Sequence, residues 1–221
     1  MVGTPFQPPV KPGSVTPWLE PTLISENLFA VATADPGDGG ASMLYLLSAE
    51  NPRSLKELGS LSSEAPFKSR LVNDGTRIFG VVGNNAGDSL VSITSAAPLA
   101  VQQETELAGT LVAGPWITPE GILVQMDNDK LYCFGSDLSE KWSVAIPNDS
   151  FACEPKIVGD QLMLAFRSGI VDFVDPTSGK SVNRIDVGQP IIHEPLFQGQ
   201  KMYFEGMDGT IHVIDISKLP Q

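Results

Sequence analysis

Three glutamates in this 221-residue chain stand directly before a proline, in Glu20-Pro21, Glu154-Pro155 and Glu194-Pro195. If folding gathers these positions, three carboxylates share one place. Crowded like charges raise one another's pKa or recruit a cation. Lys68 occupies an equivalent position and would oppose them, Gly114 fills another, and His193 adjoins Glu194. The expectation is a binding site for a cation or a basic peptide made by Glu20, Lys68, Glu154, His193 and Glu194. Its metal ligands would be Glu20, Glu154 and Glu194. The competing reading is that each glutamate points to solvent or caps a neighbouring amide.

Other chemistry is sparse. His193 and His212 are the only histidines, and neither has a serine or cysteine at a motif spacing. Gly-x-Ser-x-Gly, the P-loop and His-Glu-x-x-His are absent. No catalytic residue is therefore expected, and the chain reads as a non-enzyme. Asp127-Asn128-Asp129 lacks the glycine and distal glutamate of a calcium loop, so it reads as a hairpin turn. Cys133 and Cys153 sit in no Cys-x-x-Cys pair. They read as two buried free thiols on strands, with a single bridge as the alternative. Asn148-Asp149-Ser150 has the form of a glycosylation sequon. Trp116 and Trp142 read as packing residues between repeats, and Trp18 as exposed.

Charge narrows the partners. With 26 acidic against 14 basic side chains, the net charge is −12. Such a surface repels phosphate backbones and anionic bilayers, so neither nucleic acid nor a membrane surface is an expected partner. A basic protein would be attracted. No apolar run approaches the ~18 residues of a spanning helix, so no direct membrane insertion is expected. Residues 1–9 lack the basic and apolar regions of a signal peptide, although a mature fragment would look the same.

What could position those glutamates is a repeat. Residues 113–134, 153–175 and 193–215 align without gaps on Pro115, Pro155 and Pro195, forty residues apart. Turn signals recur at matching offsets: Pro119-Glu120-Gly121, Gly159-Asp160 and Gly199-Gln200, then Asn128-Asp129, Ser168-Gly169 and Asp208-Gly209. Such pairs accept the positive φ that tight hairpins need. Between them lie Ile122–Met126, Leu131–Phe134, Leu162–Phe166, Ile170–Val174, Met202–Phe204 and Ile211–Ile214, rich in residues that suit a pleated surface. Trp142–Ile146 and Val182–Val187 supply fourth strands. The N-terminal half continues more loosely from Pro21 and Ser69. Its turns fall at Ser25-Glu26-Asn27 and Asn73-Asp74-Gly75, with longer hairpins over Asp35–Gly40 and Asn84–Asp88. Met43–Leu47 and Leu55–Leu61 read as strands.

Four strands in a period near forty are the mark of a propeller blade. The fold expected is therefore all-β, a β-propeller of about five four-stranded blades. One twisted sheet cannot cover both its faces, and copies packed in a circle can. The propeller would span 18–221, with blades starting near 18, 66, 112, 152 and 192. The glutamates would then gather at the mouth of a central channel, on the innermost strands. The fifth unit ends before its fourth strand. A proline-rich arm over 1–17 would supply that strand through Phe6–Val10 and close the last blade, or else form a disordered leader.

The stretch from Gly159 to Asp215, with the turn Asp175-Pro176-Thr177-Ser178-Gly179-Lys180, resembles PQQ-like, quinoprotein-type propeller repeats. Leu131–Trp142 matches through its closing tryptophan. The resemblance is good over 109–216 and loose over 18–108. The family holds quinoprotein dehydrogenases, bacterial outer-membrane assembly lipoproteins and sensor-like domains of planctomycete-type proteins. The dehydrogenases hold their quinone with a tryptophan floor, a vicinal cysteine pair and calcium-ligating acids. This chain has no adjacent cysteines and no such acidic triad, so no PQQ and no other cofactor is expected beyond a cation. WD40 and kelch repeats lack support, because no Trp-Asp occurs and Gly39-Gly40 is the only double glycine. The resemblance implies a non-catalytic binding or scaffold module in a bacterium, periplasmic or otherwise extracytoplasmic. It would act through protein–protein contacts or ligand sensing. The alternative function is a metal- or cofactor-dependent enzyme using the channel.

Overall fold

Turn residues set the architecture. In the computed structural model, Asp129 (φ 58°), Gly169 (φ 101°) and Gly209 (φ 80°) stand forty residues apart, each in the left-handed region that reverses a hairpin. Residues 6, 17–34, 42–51, 53–84, 87–207 and 209–218 are described. Residues 1–5, 7–16, 35–41, 52, 85–86, 208 and 219–221, and with them most of the arm and the Asp35–Gly40 insertion, lie outside them.

The described chain forms five successive meanders. The first sheet holds β1 (Thr22–Ser25), β2 (Leu28–Ala32), β3 (Ser42–Ser48) and β4 (Lys56–Ser63). The second holds β5 (Val72–Asn73), β6 (Arg77–Asn84), β7 (Gly87–Thr94) and β8 (Val101–Glu106). The third holds β9 (Leu111–Thr118), β10 (Gly121–Met126), β11 (Lys130–Phe134) and β12 (Glu140–Ala145). The fourth holds β13 (Lys156–Val158), β14 (Gln161–Ala165), β15 (Ile170–Val174) and β16 (Ser181–Asp186). The fifth holds β17 (Leu196–Gln198), β18 (Lys201–Glu205) and β19 (Ile211–Asp215), followed by a 3-10 turn over Ile216–Lys218.

The chain divides into two compact units. One comprises Met1–Ile117, Ile122–Asn128 and Phe134–Ser139. The other comprises Thr118–Gly121, Asp129–Cys133 and Glu140–Gln221. In the first unit, Ala30, Ala32, Leu44 and Leu46 pack against Leu71, Ile78, Val82, Val91 and Ile93 of the second sheet. The opposite face of the first sheet carries Val31, Tyr45 and Leu47, covered in part by Phe6. Phe6 meets Tyr45 edge-on at 5.3 Å between ring centres, and Trp18 lies 5.9 Å from Tyr45. In the second unit, Met163, Ala165, Val171 and Phe173 pack against Met202, Phe204 and Ile191.

Several residues that the repeat puts on first strands fall in the loops before them, Glu20, Lys68, Glu154 and Glu194 included. Cys153 lies in a bend ahead of β13 and is half-buried, whereas Cys133 is buried on β11, and both are free thiols. Burial pushes the Cys133 thiol up to about 11 and raises Cys153 as well. His193 lies in the loop before β17, not on a strand. In both places the proline two positions on, Pro155 or Pro195, delays the ladder, because proline brings no N–H donor.

Candidate functional site

A break recurs ahead of β1, β5 and β13, whereas β9 runs on through Gly114 and Pro115. Isolated bridges Trp18–Thr33, Phe67–Val82 and Phe151–Phe166 pin an aromatic residue to the second strand. The chain then steps out of the ladder before β1, β5 and β13 begin. Glu20, Lys68 and Glu154 lie in those steps, and His193 and Glu194 in the corresponding loop before β17.

Opposite charges meet there. Arg70, two residues beyond Lys68, approaches Glu20 at 3.9 Å. Lys156, two residues beyond Glu154, is ion-paired with Glu194. A basic side chain one residue past the aligning position, Ser69 or Pro155, thus faces the glutamate of an adjacent sheet. Arg70 and Lys156 are the charge partners that the glutamate pattern alone overlooks. His193 Nε2 stands 4.0 Å from Glu205. Glu154 is exposed. These pairs are well hydrated, with Glu20 and Glu194 side chains 70% and 57% exposed, so each contributes about 0–1 kcal/mol. A cation drawn to Glu20 or Glu194 would compete with Arg70 or Lys156. Among the described residues, no three His, Cys, Asp or Glu side chains gather as a metal-binding group.

Lys68 is held differently. Its Nζ donates to Asp88 at 2.6 Å, and the Leu111 N–H donates to the other carboxylate oxygen at 2.8 Å. The Asp88 side chain is buried, at 1% exposure. It thereby ties the loop before β5 to β7 and to the start of β9. Gly83 leaves room for that carboxylate, because a Cβ there would collide with it.

At the opposite hairpins, aspartates organise turns. The Thr177 hydroxyl and N–H donate to Asp175 at 2.6 and 2.7 Å. Ser139 and Ser217 treat Asp137 and Asp215 the same way. These bonds, the Thr177 hydroxyl first, hold the Asp175 carboxyl below the usual carboxylate range. The residues after Asp137 and Asp175 offer their carbonyls to a preceding outer strand. Thr105 donates to Leu138 O at 3.1 Å, and Trp142 Nε1 donates to Pro176 O at 3.0 Å. Trp142 therefore acts as the packing residue expected of it. Trp116 and Trp142 are buried at 8% exposure, and Trp18 is 41% exposed. His212, on β19, is engaged by the Gln189 amide and by the Thr210 hydroxyl at 3.0 Å.

An open apolar depression on the second sheet, about 540 Å³, lies beside Ala96, Ala97, Pro98 and Arg77. A more polar one of about 300 Å³ is lined by Glu104, Glu106 and Asp88.

No family model matches the chain, and no curated protein matches it. Solved structures do. BamB from Moraxella catarrhalis matches with a TM-score of 0.67 at 12% identity, over 91% of this chain and 59% of that one. The computationally designed Ika8 protein matches at 0.61 and 11% identity, over 86% of this chain and 55% of that one. BBS1N, solved in complex with ARL6DN, matches at 0.56 and 13% identity, over 94% of this chain and 66% of that one. The chain thus spans a little over half the length of the first two. At these identities the likeness establishes the fold, which is an all-β propeller.

Proposed function

We propose that this chain is a non-catalytic propeller module that binds a protein partner, with basic chemistry favoured in that partner. The observation that carries this reading is how the charged groups are used. Asp88, Asp172 and the turn aspartates are consumed in holding strands and hairpins. Glu20, Arg70, Glu154, Lys156 and Glu194, by contrast, carry surface charge of both signs in or beside the loops that precede β1, β5, β13 and β17. Rigid sheets presenting variable loops are suited to recognition. Glu20, Lys68, Glu154, His193 and Glu194 are the positions we assign to that surface, with Arg70 and Lys156 among them. BBS1N, a structural neighbour solved in complex with ARL6DN, supports a protein partner. The resemblance to PQQ-like repeats supports a bacterial, extracytoplasmic setting, and the arm at 1–17 remains our candidate for the strand that completes the last blade.

The test is crosslinking of the full chain to its partner, captured under native conditions and mapped by mass spectrometry. Crosslinks concentrated on Lys68, Lys156 and their neighbouring loops are expected. Stoichiometric metal in the purified protein, lost on combined Glu20→Gln, Glu154→Gln and Glu194→Gln substitution, would replace this reading with a metal site.

A further inference from the structure

The depression beside Arg77 is walled by the loop that joins β7 to β8, and that loop is held from within. The Thr94 N–H donates to Ala100 O at 3.0 Å. The Thr94 hydroxyl donates to Pro98 O at 3.0 Å and accepts the Ala100 N–H at 2.9 Å. The Ser95 hydroxyl donates to Thr76 O at 2.7 Å, and the Thr76 hydroxyl donates to Asp74 at 2.7 Å. Every hydroxyl that lines the depression is thus engaged by the protein itself. The loop is also wedged from behind. Leu99 is buried in the core between the first two sheets, and Gly59 of β4 leaves room for Ala97, because a Cβ there would lie 3.2 Å from the Ala97 Cβ. The wall offered to a ligand is therefore fixed and aliphatic, made by Ala96, Ala97, Pro98 and Ala100.

Arg77 is the one charged residue in the lining. Its guanidinium carbon stands 5.5 Å from the centre of the Phe79 ring, and its Nη1 donates to Gln103 at 3.0 Å. A ring face and a hydrogen bond together hold the guanidinium in place. Its Nε and Nη2 have no hydrogen-bond partner among the described residues. Those two N–H groups form the edge that a carboxylate takes in a two-point grip. Asp74 accepts the Arg77 backbone N–H at 2.8 Å and draws on the same positive charge, so the pull on an anion is partial and an apolar contact has to add to it.

We propose that this depression binds a small monocarboxylate with an aliphatic body. The carboxylate lies on Nε and Nη2 of Arg77, and the chain lies across Ala96, Ala97, Pro98 and Ala100. The volume of about 540 Å³ falls within the ~300–1,000 Å³ usual for small-molecule sites. Complementarity selects the occupant. A neutral hydrocarbon leaves the guanidinium edge unanswered, and a compact anion gains nothing from the methyl-lined wall. This site is independent of the protein-binding reading above, so either can fail without the other.

The probe is hexanoate, titrated at neutral pH into the full chain labelled with ¹⁵N and followed by amide shifts. The shifts should centre on Thr94–Ala97 and Ala100 and saturate by about 10 mM. Acetate and 1-hexanol, which each carry one half of the ligand, should bind at least about tenfold more weakly. Arg77→Gln should weaken hexanoate about tenfold. Ala96→Glu, at an exposed position, sets a carboxylate in the depression and should remove hexanoate binding with Tm unchanged. The proposal is overturned if hexanol binds as tightly as hexanoate, which would make the depression a merely greasy surface. It is equally overturned if either substitution leaves hexanoate affinity unaltered, or if the shifts fall elsewhere or fail to saturate by about 10 mM.

Discussion

The fourth and fifth sheets are the same repeat forty residues apart, yet they end in different environments. On β15, Val171, Phe173 and the carboxylate of Asp172 are buried, and Arg184 reaches across from β16 to that carboxylate. On β19, the matching Ile211 and Val213 lie open, and His212 takes the place of the aspartate. Repeat register therefore specifies strand and turn, but burial depends on what stands beside the sheet. In a repeat array each unit leans on its neighbours, so equivalent positions differ in energy according to those neighbours.

The sharpest way to break this comparison is a pair of truncations. Phe173→Ala should cost about 3–5 kcal/mol by chemical denaturation, while Val213→Ala should stay within about 0.5 kcal/mol. Equal losses would mean that β19 is covered in solution. Next come the charges. Arg184→Met leaves the Asp172 carboxylate buried with Ser181 as its remaining side-chain partner, at a cost of about 3 kcal/mol. Lys218→Met, which removes the solvated partner of Asp215, should leave the denaturation midpoint nearly unchanged. The glycines follow. Gly179 has φ +70°, and a Cβ there would lie 2.6 Å from Trp142 Cε3, so Gly179→Ala should lose about 1–3 kcal/mol. Gly199 has φ +59° and open space around it, so Gly199→Ala should lose only the ~1 kcal/mol of left-handed backbone strain.

The smallest effect is shared by the two sheets. Asp175 and Asp215 are both held below the ordinary carboxylate pKa, chiefly by the hydroxyls of Thr177 and Ser217. A depressed folded pKa contributes stability that is complete above the unfolded value, about 3.9, and is lost as pH falls through the lower folded value. Asp175→Asn and Asp215→Asn should each flatten the acid limb of a stability–pH curve and leave its slope above about pH 5 unchanged. Thermal melts at a series of pH values would show it.

Much of this was legible in the sequence, for a physical reason. Hairpin turns demand particular residues at fixed offsets, so Asn128-Asp129, Ser168-Gly169 and the Gly209 turn announce their strands. Ile170–Val174 is β15 to the residue, and Leu162–Phe166 misses β14 by one position at each end. Trp142–Ile146 lags β12 by two at its start, because Glu140 and Lys141 are charged on an exposed outer strand. The site was less legible. Glu20, Glu154 and Glu194 stood out by their prolines, but charge partners come from chain segments 38 to 50 residues away. Spacing within one repeat cannot show that Lys156 answers Glu194, or that Lys68 turns inward to Asp88. Cys153 and His193 read as strand residues because the pattern of apolar neighbours does not record where proline interrupts the ladder.

The aromatic group on the first sheet gives the protein an optical signature. Trp18 emits from a wet surface beside Tyr45 and Phe6, while the indole of Trp142 is dry and tethered to a carbonyl. Iodide reaches the former far more readily than the latter. Quenchable emission therefore reports on the first sheet and protected emission on Trp116 and Trp142 of the third, from one sample, without any attached dye.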